Sequence, residues 1–167
     1  MAKFHCEACG QDHDLSNVAI ALQRPYHYFE VPEKERASRI KINDDLCSID
    51  GKLFLIRGVL QIPIKGTDGT FDWGLWALID RSDFDRYLKL WDVEIDPDEP
   101  PMPGLLSGNP PGYPEANLTD LTIHLQSGGQ RPLFKVVDSD QQLAIDQREG
   151  ISFEKIHPLI EKLQGNH

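Results

Sequence analysis

Apolar residues between positions 40 and 79 recur with the two-residue period of extended chain. Ile40 and Ile42 alternate with Lys41 and Asn43, Leu46 to Ile49 lead into Asp50-Gly51, and Lys52 to Ile64 is rich in Leu, Ile, Val and Phe. Asp-Gly favours a tight hairpin, because both central residues tolerate positive φ. A second turn, Gly66-Thr67-Asp68-Gly69, leads into Thr70 to Ile79, where Phe71, Trp73, Leu75 and Ala77 alternate with Asp72, Gly74 and Trp76. The pattern predicts an antiparallel meander.

The period then changes. Phe84, Tyr87, Leu88 and Trp91 share one helical face, and Ser82, with Asp85 three residues on, is suited to cap that helix. Leu118 to Leu125 and Pro132 to Val137 read as strands joined by Ser127-Gly128-Gly129-Gln130. Val18 to Val31 reads as extended chain broken at Pro25, and Pro32 suits the start of a short helix through Ser38. Ser152 to Leu163 predicts a final helix, either kinked at Pro158 or starting near His157. Pro, Gly and acidic residues dominate 92–117, which reads as a long surface loop. The expected fold is α+β: one domain over 1–167, an antiparallel sheet of meander hairpins packed with a few helices, and a zinc-knuckle-like segment at 1–14.

Composition sharpens this picture. A chain of 167 residues with 40% hydrophobic content suffices for one sizeable core. No stretch approaches the roughly 20 apolar residues of a membrane span, and Met1 to Cys9 lacks the features of a secretory signal, so the expected location is the cytoplasm. A net charge of −10 disfavours nucleic acid and anionic lipid as partners, and suits a protein partner, in particular a basic one.

The sharpest chemical feature is Cys6-Glu7-Ala8-Cys9-Gly10, a spacing at which two thiolates can grip one tetrahedral ion. His13 and Cys47 are candidates to complete a closed, structural Zn²⁺ site, with His5 and His27 as less well spaced substitutes. Alternatives stand beside this: Cys6 and Cys9 as a redox pair or inert thiols, and Cys47 as a small buried hydrophobe. Arg57, inside an apolar strand, needs carboxylate or carbonyl partners, and serves either an internal ion pair or anion recognition. Trp73 and Trp76 fall on opposite faces of their strand. Gln147-Arg148-Glu149-Gly150 reads as a polar turn ahead of the last helix.

Several of these segments, taken in order, carry a resemblance: Phe4-His5-Cys6 to His13, Asp45-Leu46-Cys47, Phe54-Leu55-Ile56-Arg57-Gly58, Trp73-Gly74-Leu75-Trp76 and Gln147-Arg148-Glu149-Gly150. The chain resembles a bacterial family known only as domain of unknown function 2199. The resemblance implies a shared Cys-x-x-Cys-Gly-x-x-His start, placed on Cys6, Cys9, Gly10 and His13. It also implies Asp-His-Pro-Leu-Ala ahead of the last motif, where this chain has Asp140-Gln141-Gln142-Leu143-Ala144. If relatives use that imidazole for catalysis or metal, this chain cannot do so at Gln141.

Three functions are compatible with these features. The first is a zinc-bearing protein-interaction module. The second is an acidic, immunity-type inhibitor of a basic bacterial toxin, motivated by the net charge and the acidic segment from Asp92 to Glu115. The third is an enzyme acting on a small anion through a cleft formed by Arg57, Arg148 and Glu149 with Trp73 and Trp76.

Overall fold

A computed structural model of the protein describes residues 3–5, 12–14 and 19–164, with side chains described for 19–159. Near the N-terminus β1 (Lys3–His5) pairs antiparallel with β2 (Asp12–Asp14), placing Phe4 opposite His13 and His5 opposite Asp12. These two strands form a sheet of their own.

The body is built on β6 (Leu53–Pro63) and β7 (Thr70–Ile79), paired in register from Phe54↔Ile79 to Pro63↔Thr70. β8 (Met102–Leu106) pairs with β7, β9 (Asp120–His124) with β8, and β10 (Leu133–Val136) with β9, all antiparallel. β10 then returns to β6 in parallel, through Leu133↔Val59, and closes the ring. β3 (Ala19–Ala21) adds a second parallel pairing along β7, while β5 (Leu46–Ile49) and β4 (Ile40–Ile42) extend β6 antiparallel. The sheet is thus mixed and closed where the pattern predicted an antiparallel meander. Periodicity reports which face of a strand is buried but carries no information on the direction of its neighbour.

β6 and β7 each serve two neighbours along one edge. β6 pairs with β5 as far as Ile56 and with β10 at Val59, and the change of partner falls at Gly58. A Cβ there would lie 2.3 Å from Phe134 Cε1 and 2.8 Å from the Pro132 carbonyl oxygen, so only glycine lets the barrel close at this seam.

Both faces of the central hairpin are covered. Phe71, Trp73, Leu75 and Ala77 join Ile56, Leu60, Ile62, Phe134 and Ile156 in the main core. Trp76 and Leu55 point the other way, into a smaller core with Val31, Cys47 and Ile49.

Five α-helices are found among the described residues: α1 (Tyr26–Glu30), α2 (Arg36–Arg39), α3 (Arg81–Leu90), α4 (Gln142–Glu149) and α5 (Phe153–Gln164). α1 lies within the segment expected to be extended. Pro32 precedes a 3₁₀ turn, Glu33–Glu35, that leads into α2. The cap of α3 is Asp80 and not Ser82: its carboxylate accepts the Asp83 N–H at 2.8 Å, and the Ser82 hydroxyl donates to the same oxygen. α5 starts at Phe153 and carries Pro158 within it.

The segment expected as a loop over 92–117 contains β8. Pro103 is accommodated because β8 meets β7 only at Leu105 and Leu106, so at Pro103 it has β9 alone as neighbour. No helix among the described residues is long and apolar enough to cross a membrane.

Candidate functional site

The residues singled out in the sequence separate into distinct settings. Cys6 and Cys9 lie outside the described residues. His13 is in β2, in the hairpin whose two strands flank the Cys-x-x-Cys segment. Cys47 is buried among Val31, Ile49, Leu55 and Trp76, and burial pushes its thiol up to about 11. That is the setting of a small apolar side chain. Among the described residues no group of three His, Cys, Asp or Glu could hold a metal ion.

Arg57 is 4% exposed and faces Trp76 directly across the β6–β7 ladder, its guanidinium carbon 5.7 Å from the indole. Nη1 donates to the Asp44 carbonyl at 3.1 Å and Nη2 to the Leu22 carbonyl at 3.3 Å. Desolvation is the largest influence on it and lowers its pKa, reinforced by Arg131 and opposed by Asp45 and Asp44. Carbonyl oxygens therefore hold this guanidinium, in place of the carboxylate of an internal ion pair.

Arg148 and Glu149 come together at the end of α4, 3.7 Å apart, and Arg148 also pairs with Asp138. Arg148 lines an open cleft of about 700 Å³ with Thr122, His124 and Lys135. Among the described residues no hydrogen bond, ion pair or ring contact joins this group to Arg57. Trp73 packs in the main core, edge-on to Phe71.

Trp76 leads to a different cleft. Its indole N–H donates to the Leu22 carbonyl at 3.1 Å, the same oxygen that Arg57 uses, and its own carbonyl accepts the Ser107 N–H at 2.9 Å. Two chain segments, 22–24 after β3 and 107–109 after β8, are thereby tied to one residue. Between them, with α1 as the outer wall, lies a cleft of about 350 Å³ lined by Leu22, Arg24, Tyr26, Phe29, Ser107 and Asn109, among others.

The rim of this cleft is aromatic and exposed. Phe29 is 60% and Tyr26 41% exposed. Arg24 stacks 4.7 Å from the Tyr28 ring centroid, and Arg36 sits over both Tyr28 and Phe29 at 4.9 and 5.5 Å. Arg36 is fixed in turn by its Nε, which donates to the Val31 carbonyl at 3.0 Å. Exposed aromatic rings with stacked arginines are the residue types that dominate binding energy at protein interfaces.

The floor is polar and ordered. Ser107 is 2% exposed, and its Oγ lies 2.6 Å from His27 Nδ1 and 3.3 Å from the His27 backbone nitrogen. The backbone N–H donates to the hydroxyl oxygen, and the second contact runs from the hydroxyl to Nδ1 in the Nε2–H tautomer and from Nδ1–H to the hydroxyl in the other. Asn109 and Asn117 brace the segment after Ser107: the Asn117 side chain accepts the Gly108 N–H, and the Asn109 side chain accepts the Asn117 N–H, each at 2.7 Å.

Sequence reasoning missed Ser107, Tyr26, Phe29 and Asn109, and considered His27 only as a substitute metal ligand. The aromatic run was visible, but reading it as extended chain concealed that Tyr26 and Phe29 come together on one helical turn. The pairing of His27 with Ser107 spans 80 positions, and nothing local announces it.

The comparisons add a family and nothing more. No curated protein and no solved structure matches the chain. A family model described as an uncharacterized protein conserved in bacteria, DUF2199, matches residues 5–151, and the chain belongs to that family.

Proposed function

We propose that this protein is a zinc-bearing, cytoplasmic protein-interaction module that docks a protein partner on the cleft between α1 and the end of β8. The observation that carries the reading is the exposure of Phe29 and Tyr26 beside an apolar cleft, framed by Arg24 and Arg36. Leaving these rings in water forgoes burial worth roughly 25 cal/mol per Å². An apolar side chain of the partner would fill the cleft, with Arg24 and Arg36 on the polar rim.

The zinc reading rests on the Cys6 and Cys9 spacing, with His13 in the paired strand that follows. Such a metal would be structural.

The test is binding of a partner captured by cross-linking in a bacterial lysate, measured against wild-type protein and against Phe29→Ala and Tyr26→Ala. Both positions are surface-exposed, so the variants should keep the wild-type melting temperature and lose about tenfold or more in affinity each. A partner that binds both variants as tightly as wild type overturns the docking site.

A second reading is favoured by one observation. Asp92, Glu94, Asp96 and Asp98 are all exposed on the connector after α3, a surface suited to a cationic protein such as a basic toxin. Affinity that falls steeply with salt and with charge reversal of these four residues, but ignores Phe29, would select it.

A further inference from the structure

We propose that Ser107 and His27 form a nucleophile and base pair that cleaves small esters with a short apolar acyl group, with Asn109 as the oxyanion donor. Ser107 lines the inner wall of the cleft, and its Oγ lies 2.6 Å from His27 Nδ1, which accepts the hydroxyl proton when the ring carries its own on Nε2. That is the arrangement from which a serine is activated: the base lies within hydrogen-bond reach and accepts the proton as the oxygen attacks.

The backbone keeps this geometry in place. Trp76 holds the Ser107 N–H, and the His27 N–H holds the same hydroxyl oxygen that its ring faces. Asn109 lines the cleft two residues on. Its carboxamide oxygen accepts the Asn117 N–H, which leaves the amide NH₂ to serve as a donor of the kind that stabilises an oxyanion. Ala21, Leu22, Tyr26 and Phe29 supply apolar walls for the acyl chain.

The steps balance. Ser107 Oγ bonds to the ester carbonyl carbon while its proton passes to His27 Nδ1, and the carbonyl π electrons move onto oxygen beside Asn109. Collapse breaks the carbon–oxygen bond to the alcohol, which leaves with the proton from His27. Water then attacks the acyl-serine and gives its proton to His27. The acid departs, and Ser107 recovers its proton from the imidazole.

This inference goes beyond docking and is tested without any partner. Purified protein is treated with a fluorophosphonate, and modified peptides are mapped by mass spectrometry; hydrolysis of p-nitrophenyl butyrate is followed in parallel. One phosphonyl group should appear on Ser107. His27→Gln should slow both labelling and hydrolysis by about 100-fold or more, and Asn109→Ala should slow hydrolysis by about 100-fold.

If Ser107 only ties α1 to the barrel, the wild-type Ser107 peptide stays unmodified under conditions that label a serine esterase, and the proposal falls. Label on Ser107 at a rate unchanged by His27→Gln overturns it equally, since the imidazole is then no base. Neither outcome bears on the docking face, which is read from Phe29 and Tyr26.

Discussion

Asp146 is the most heavily committed carboxylate in the described structure. It is 4% exposed, and its two oxygens accept from the Tyr113 hydroxyl at 2.6 Å, the Gln142 amide at 2.7 Å and the Lys155 ammonium at 2.5 Å. Burial alone would raise its pKa, but the hydrogen bonds from Lys155, Tyr113 and Gln142 outweigh it and hold the carboxyl below the ordinary carboxylate value. The same contact, with burial as the larger cause, pushes the Tyr113 phenol far above its usual range. Asp146→Asn removes the charge these donors share and should cost about 2 to 3 kcal/mol in urea unfolding at neutral pH. The sign of the pH dependence follows from the depressed pKa. The unfolded chain binds the proton at higher pH than the native state, so the contribution is complete above the unfolded value near ~4 and is lost as pH falls through the native one. The stability gap between wild type and Asp146→Asn should therefore narrow as pH drops from about 6 to about 3. A gap independent of pH would show that the carboxylate charge contributes nothing.

At the scale of elements, the two long strands are organised around glycines at which they exchange neighbours. Gly58 faces the Phe134 ring, which is packed in the core and has nowhere to go, whereas Gly74 faces Ala21 on the short strand β3, with a Cβ contact of 2.9 Å. Gly58→Ala should therefore cost about 2 to 3 kcal/mol, and Gly74→Ala under about 1 kcal/mol because β3 can shift outward. Equal losses in urea unfolding would mean that the β6–β10 seam is not the tight point of the barrel. The same physics explains which elements were legible in the sequence. β6, β7 and the Asp50-Gly51 turn were legible because alternation and positive φ are local properties, and both turn residues do adopt positive φ, 56° and 63°. The face of α3 was legible as well, with Tyr87 buried and Phe84 and Trp91 packed on the core, although Leu88 is exposed. β8 was hidden because Pro103 and Gly104 are compatible with a ladder only through where its pairing with β7 begins, at Leu105, and how Ile123 packs. α4 was hidden by its composition. Its buried face includes Asp146, so a helix with an apolar period reads as polar, although Gly150, at φ 87°, marked its end. The candidate cleft was least legible, because it joins segments near residues 22, 76 and 107 that only tertiary structure brings together.

At the scale of the whole molecule, the hairpin of β1 and β2 is a sheet separate from the one that contains the closed barrel. This changes what a metal held near the N-terminus would stabilise. If Cys47 were a ligand, the ion would bridge the N-terminal segment and the smaller core, and its removal would loosen the barrel. Cys47 is instead packed among apolar side chains, where burial disfavours the thiolate a zinc ion needs. The ion would then staple only its own hairpin, through Cys6, Cys9 and His13. Purified protein should carry about one zinc per chain. Treatment with a strong chelator should abolish amide protection in β1 and β2 while leaving protection in β6 and β7, and the main melting transition, in place. Cys6→Ser should lose the zinc, whereas Cys47→Ala should keep it and cost about 1 kcal/mol of core packing. Zinc released by Cys47→Ala, or a barrel that melts on chelation, would restore Cys47 to the ligand set. Protein that carries no metal and has a hairpin indifferent to Cys6→Ser would leave the two thiols without a structural task.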